Sequence, residues 1–189
     1  MPARTSAASP AIYQLKVTLY DSKPPIWRRI QVPATVTLGQ LHRILQVVMG
    51  WTDSHLHQFI VGDSYYGIPD PDWAREVKHE QRARLNQVAP QEKAKLIYEY
   101  DFGDDWLHDI VVEKIFPPEA GKHYPVCVKG KRACPPEDCG GIWGYASFLE
   151  AISDPSHPEH AEMLEWVGGA FDPEAFDVEE VNRQLALLR

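Results

Sequence analysis

Residues 12–20 alternate Tyr13, Leu15, Val17 and Leu19 with Gln14, Lys16, Thr18 and Tyr20. A period of two sends the apolar set to one side of an extended chain, which predicts a half-buried strand. Asp21-Ser22-Lys23-Pro24-Pro25 follows as a turn, because two prolines cannot donate to a ladder. Ile26–Val32 then reads as a second strand, closed by Pro33. The link is too short for a parallel crossover, so the pair is expected to be an antiparallel hairpin. Lys95–Asp101 and Trp106–Ile115 repeat the arrangement around Phe102-Gly103-Asp104-Asp105.

Between these hairpins lies one helix signal. Leu38, Leu41, Ile44, Leu45 and Val48 recur at helical spacing, Thr37 and Gln40 form a capping-box pattern, and Gly50 stands at the left-handed C-cap position. A strand over His55–Val61 and another beginning at Tyr65-Tyr66 are expected next. Residues 68–93 are polar, anchored by Trp73, Val77, Leu85 and Val88, and read as a solvated insertion with a short helix near Ala83–Val88. Residues 140–189 read as loop and helix. The segments are Tyr145–Ile152, a helix capped by Ser156 with Glu159, and a last one capped by Asp177 with Glu180. The expected fold is α+β, a mostly antiparallel sheet with one early packed helix and a helical C-terminal third. Residues 11–189 form one domain in this reading, behind a disordered lead-in at 1–10.

The chain has 189 residues, enough to bury a core, and a formal charge of −8. That charge is uneven, at +4 over residues 1–60, −2 over 61–136 and −10 over 137–189. An acidic balance argues against general nucleic-acid binding, whose affinity comes from clustered Lys and Arg. No apolar run approaches the roughly 20 residues of a membrane span, and Met1 to Pro10 lacks the apolar core of a signal peptide. Three cysteines make no disulfide framework. A cytoplasmic protein without a membrane partner is the expectation.

The sharpest chemical pattern joins His55-Leu56-His57 to the turn carrying Asp101, Asp104, Asp105 and His108. Histidines two apart on a strand share a face, and carboxylates from a neighbouring turn complete a mixed N/O set. His55, His57, Asp104, Asp105 and His108 are therefore candidate ligands for Zn²⁺, Mn²⁺ or Fe²⁺, and an open position on such an ion would activate water for hydrolysis. The plainer alternative is that the aspartates shape the turn and the histidines hydrogen-bond locally. Asp101-Phe102-Gly103 has no kinase catalytic-loop motif or glycine-rich phosphate loop beside it.

Cys127, Cys134 and Cys139 are a second candidate set, for structural zinc. Only Cys134 and Cys139 approach the usual close spacing, and a fourth ligand such as His123 is needed. A loop shaped by Pro and Gly, with partly buried thiols, accounts for them equally simply. The acidic pair Glu137-Asp138 precedes a helix and is expected to cap it or to meet Arg28 and Arg29. Trp51, Trp106, Trp143 and Tyr145 either line a pocket or join the core.

Five blocks carry a family resemblance: Pro25–Ile30 (PIWRRI), Thr37–His42 (TLGQLH), Gly50–Phe59 (GWTDSHLHQF), Tyr98–His108 (YEYDFGDDWLH) and Cys134–Tyr145 (CPPEDCGGIWGY). In this order they resemble the plasmid pRiA4b ORF-3-like family, also labelled insertion-sequence passenger proteins of the TnpR kind. The resemblance covers residue 11 to near the C-terminus and implies a protein of bacterial or archaeal mobile elements with no established biochemical activity. The TnpR label suggests a resolvase, yet the chain has no nucleophilic serine set among the arginines such recombinases use. The leading expectation is a module that binds a ligand or another protein, through a pocket formed by Trp51, His55, Asp101, Asp104, Trp106, His108, Glu137, Asp138 and Tyr145. The metal-dependent hydrolase, with nucleic acid among its conceivable substrates, and the structural zinc protein are the alternatives.

Overall fold

The structure, a computed structural model, describes residues 11–72 and 74–188. The lead-in expected at residues 1–10 and the Trp73 anchor lie outside them. Eight strands form one sheet in the order β5-β4-β3-β6-β7-β1-β2-β8. They are β1 (Ile12–Leu19), β2 (Trp27–Pro33), β3 (His57–Val61), β4 (Ser64–Gly67), β5 (Val77–His79), β6 (Lys95–Tyr100), β7 (Trp106–Phe116) and β8 (Val126–Lys131). Every pairing is antiparallel except β4 with β5. The helices are α1 (Leu38–Met49), α2 (Leu85–Val88), α3 (Gly141–Ser153), α4 (His160–Trp166) and α5 (Val178–Leu185). The fold is α+β.

Register explains the core. Leu15 faces Ile30 and Val112, Val17 faces Arg28 and Ile110, and Leu19 faces His108. Tyr98 faces His108 and Phe59, while Tyr100 faces Trp106 and His57. Directly opposed residues share a sheet face, so these rows form one continuous inner surface. The apolar side of α1, with Leu38, Leu41, Leu45 and Val48, is buried in the same cluster. The capping box forms as the spacing predicts: Thr37 Oγ1 accepts from Gln40 N, and Gln40 Oε1 accepts from Thr37 N. Gly50 closes the helix at φ 93°.

The outer face of the sheet is polar and tied together. Arg29 donates to both carboxylate oxygens of Glu113 at 2.6 and 2.8 Å, and Gln14 donates to Glu113 at 2.9 Å. Arg28 is buried on the inner side and donates to the carbonyls of Trp27, Val48 and Lys131. Neither arginine meets Glu137 or Asp138, because each is taken by a nearer acceptor on its own face.

Three local expectations change. The C-terminal part contributes helices, but β8 precedes them and pairs with β2; its exposed lysines and Gly130 hid the alternation. Helix α4 starts at His160, and Ser156 bonds Asp154 instead of capping it. The polar stretch 68–93 holds β5, a 3-10 turn at Glu80–Arg82 and α2. It is pinned to the segment before α1 by Leu38 N to Ala83 O, Leu85 N to Val36 O and Asn86 N to Ala34 O, each 2.9 Å.

Candidate functional site

His42 and His57 stack in parallel, with ring centroids 3.4 Å apart and planes 2° from coplanar. His42 stands on the buried side of α1, one turn before Gln46, and His57 opens β3. Each imidazole meets a carboxylate through Nε2: His42 with Asp53 at 2.9 Å, and His57 with Glu80 at 2.8 Å. Glu80 arrives from the 3-10 turn after β5 and is 3% exposed, a burial an acid sustains only with a partner. Behind His42, the Tyr98 hydroxyl lies 2.8 Å from Nδ1 and accepts from Gln46 Nε2 at 3.0 Å. The bonding pattern assigns a neutral His42, with Tyr98 donating to Nδ1 and Nε2–H donating to Asp53. Burial and the adjacent His57 lower the His42 pKa below the ordinary imidazole value. His42, Asp53, His57 and Glu80 line a cleft of about 270 Å³ that also touches Gly39, Arg43 and His55.

A second group lies beside the first. His55 Nε2 is 3.0 Å from Asp138, 3.6 Å from Asp101 and 3.6 Å from Glu137. Glu137 also accepts from Thr52 N at 2.9 Å and from the Tyr100 hydroxyl at 3.2 Å, which docks the 135–139 loop on the 51–55 loop. Burial, then the nearby Glu137, pushes the Tyr100 phenol up to about 12, so it stays a donor. Among the described residues, donor atoms from three or more His, Cys, Asp or Glu side chains meet within 4.8 Å in two groups: His42/Asp53/His57 and His55/Asp101/Asp138.

A family model described as "Plasmid pRiA4b ORF-3-like protein" matches residues 11–180. The chain belongs to this family. It is 42% identical over 175 residues to a Sinorhizobium fredii protein named "Uncharacterized protein y4hQ", covering 92% of this chain and 90% of that one. The crystal structure titled a protein of unknown function, MM3350, from Methanosarcina mazei Go1 superposes with a TM-score of 0.81 at 38% identity, covering 90% of this chain and 96% of that one. Among the described residues, no helix is long and apolar enough to cross a membrane.

Within this pRiA4b ORF-3-like fold, the five expected metal ligands separate. His55 precedes β3 rather than lying on it, so it does not share a strand face with His57. His57 and His108 both face inward, but β6 runs between their strands. Two strand spacings and a two-residue offset in register separate their backbones, and their ring nitrogens share no donor group among the described residues. His108 is fully buried beneath Trp51, at 5.1 Å between centroids, and desolvation lowers its pKa to about 4. Asp104 accepts from Gly140 N at 3.1 Å, ahead of α3, and a Cβ at Gly141 would meet the Asp104 carbonyl at 2.6 Å. Asp105 is an exposed turn residue at φ 55°.

The expected pocket divides in the same way. Trp51, Trp106 and His108 pack into the core with Tyr100, Tyr145 is buried on α3 itself, and Asp101, Glu137 and Asp138 gather on His55. No cysteine thiol joins a donor group among the described residues, and His123 is exposed. Burial raises the thiol pKa of Cys127 to about 11 and of Cys139 to about 12, and raises Cys134 further, so all three stay protonated. Sequence reasoning missed His42, Asp53 and Glu80. His42 and Glu80 carried one signal each: a histidine on the apolar stripe of α1, and an acid inside the stretch anchored by Val77 and Leu85.

Proposed function

We propose that this protein is a metal-ion-binding module that holds one divalent transition ion between His42, Asp53, His57 and Glu80. The observation that carries the reading is the meeting of His42, Asp53 and His57 donor atoms within 4.8 Å of one another, with buried Glu80 on His57; an ion there tilts the two rings out of their stack so that it lies in the plane of each. Two nitrogens and two carboxylate oxygens suit Zn²⁺, Mn²⁺ or Fe²⁺, and two negative charges balance the ion. In a tetrahedral site with bonds of about 2.0–2.1 Å, neighbouring ligand atoms lie about 3.3 Å apart. The donor atoms of His42, Asp53 and His57 already lie within 4.8 Å of one another, and Glu80 stands 2.8 Å from His57 Nε2, so closing all four on one ion draws the Glu80 carboxylate inward. An ion on Nε2 moves the ring proton of His42 to Nδ1, which then donates to the Tyr98 hydroxyl, the kind of partner that commonly stands behind a metal-binding histidine.

This site replaces the Asp104–His108 turn as the ligand-recognising part of the molecule. Its donors are acids and imidazoles, which do not grip phosphate, in keeping with an acidic chain that is no general nucleic-acid binder. Cobalt(II) titration followed by visible absorption tests the reading. The expected result is d–d bands that saturate at one equivalent and vanish in His57→Asn. Absent bands, or bands unchanged in His57→Asn, overturn it.

A further inference from the structure

A second cleft, of about 320 Å³, lies on another part of the surface, between the β1–β2 turn, Arg132 and the first turns of α3. Its walls are apolar, formed by Pro24, Ile26, Ile142, Ala146 and Leu149. Trp143 stands on its lining with 84% of its surface exposed, an unusual cost for an indole with no partner. Two buried polar atoms belong to the same lining. Tyr145 is 5% exposed and Arg132 7% exposed, yet Tyr145 Oη and Arg132 Nε have no hydrogen-bond partner among the described residues. A buried donor without an acceptor is destabilising, and native proteins rarely keep two side by side without a use. Glu174 accepts from Arg132 Nη1 at 2.8 Å, which leaves the Nε edge of the guanidinium uncommitted. Lys23 and Asp21 are the other charged groups of the lining, so with Glu174 counted the charges around the cleft balance.

We propose that this cleft binds a small monocarboxylate with an aromatic or aliphatic body, its carboxylate taking Arg132 Nε–H and the Tyr145 hydroxyl and its body lying on Trp143 and the apolar wall. Two donors from different elements match the two oxygens of one carboxylate. The volume suits a molecule of that size, with apolar walls and a few placed polar groups. The two atoms have no water-exposed surface of their own, so binding includes a small outward movement of the inner wall.

Isothermal titration of the full chain with phenylacetate and with hexanoate tests the proposal, with phenylacetamide as the neutral control. At least one acid is expected to bind saturably at one site, with the amide at least about tenfold weaker. Tyr145→Phe is expected to weaken the acid about tenfold while leaving the melting temperature of the free protein unchanged or higher, since it removes an unsatisfied hydroxyl. Ile142→Trp, which fills the cleft, is expected to abolish binding. Failure of both acids to bind up to about 10 mM overturns the proposal, as does equal affinity for the amide or indifference to both variants.

Discussion

Arg28 donates from Nε to the carbonyl oxygen of Val48 at 2.7 Å, so the second residue of β2 closes the last turn of α1. The same guanidinium serves Trp27 and Lys131 through Nη1 and lies 4.0 Å from the centroid of the Phe176 ring. One buried cation thereby joins β2, β8, α1 and the segment before α5. Arg28→Met is expected to cost about 2–4 kcal/mol, because it strands buried carbonyls as well as removing packing. Urea unfolding measures it, and a loss under about 0.5 kcal/mol would contradict this role.

Gly130 makes room for that stack. A Cβ there would lie 2.5 Å from the Phe176 ring and 2.9 Å from Arg28 Cδ. Gly130→Ala is expected to destabilise by about 1–3 kcal/mol through overpacking. Combined with Phe176→Ala it should cost clearly less than the two losses added, a coupling that a double-mutant cycle reads.

His108 links stability to pH. Its folded pKa of about 4 lies below the imidazole value of 6.5 that an unfolded chain has. Between those values the unfolded chain takes up a proton that the folded one refuses, so stability falls as pH drops from about 6.5 to 4. The loss assigned to this residue is about 3 kcal/mol, and it is absent above pH 7. Unfolding free energies of wild type and His108→Leu across that range should converge as pH falls. Parallel curves would show that His108 does not titrate this way.

Gly39 separates site from fold. An alanine Cβ there would collide with the side-chain amide nitrogen of Gln81 and lie 2.8 Å from Glu80 Oε1. Exposed Gln81 can swing aside, buried Glu80 must shift on His57, and alanine favours the helix by roughly 0.5–1 kcal/mol, which offsets that cost. Gly39→Ala should leave thermal stability unchanged or slightly raised while weakening metal affinity severalfold. A variant with wild-type affinity would place Glu80 outside the ligand set.

The sheet was legible because its strands alternate on one face: Tyr13, Leu15, Val17 and Leu19 read inward in the sequence and are buried in the fold. Helix α1 was legible from Thr37 to Gly50, since its caps are local chemistry. Strand β8 was not, because Lys129, Gly130 and Lys131 show no alternation and β2 supplies the pairing. Of the His42 cluster, the sequence singled out His57 alone. Its partners come from a helix, a loop and a turn spread over residues 42–80, and only the packing of the 68–93 stretch on α1 brings Glu80 to His57. Chain proximity instead suggested Asp104 and His108, which the register sends elsewhere.

Equilibrium dialysis against Zn²⁺ followed by elemental analysis tests the central claim most directly, comparing wild type with His42→Asn, His57→Asn and Cys134→Ser, each checked for folding by circular dichroism. One zinc per chain is predicted for wild type and Cys134→Ser, with loss of the ion in both histidine variants. Zinc absent from the wild type, or retained at one equivalent in folded His42→Asn and His57→Asn, would contradict the account.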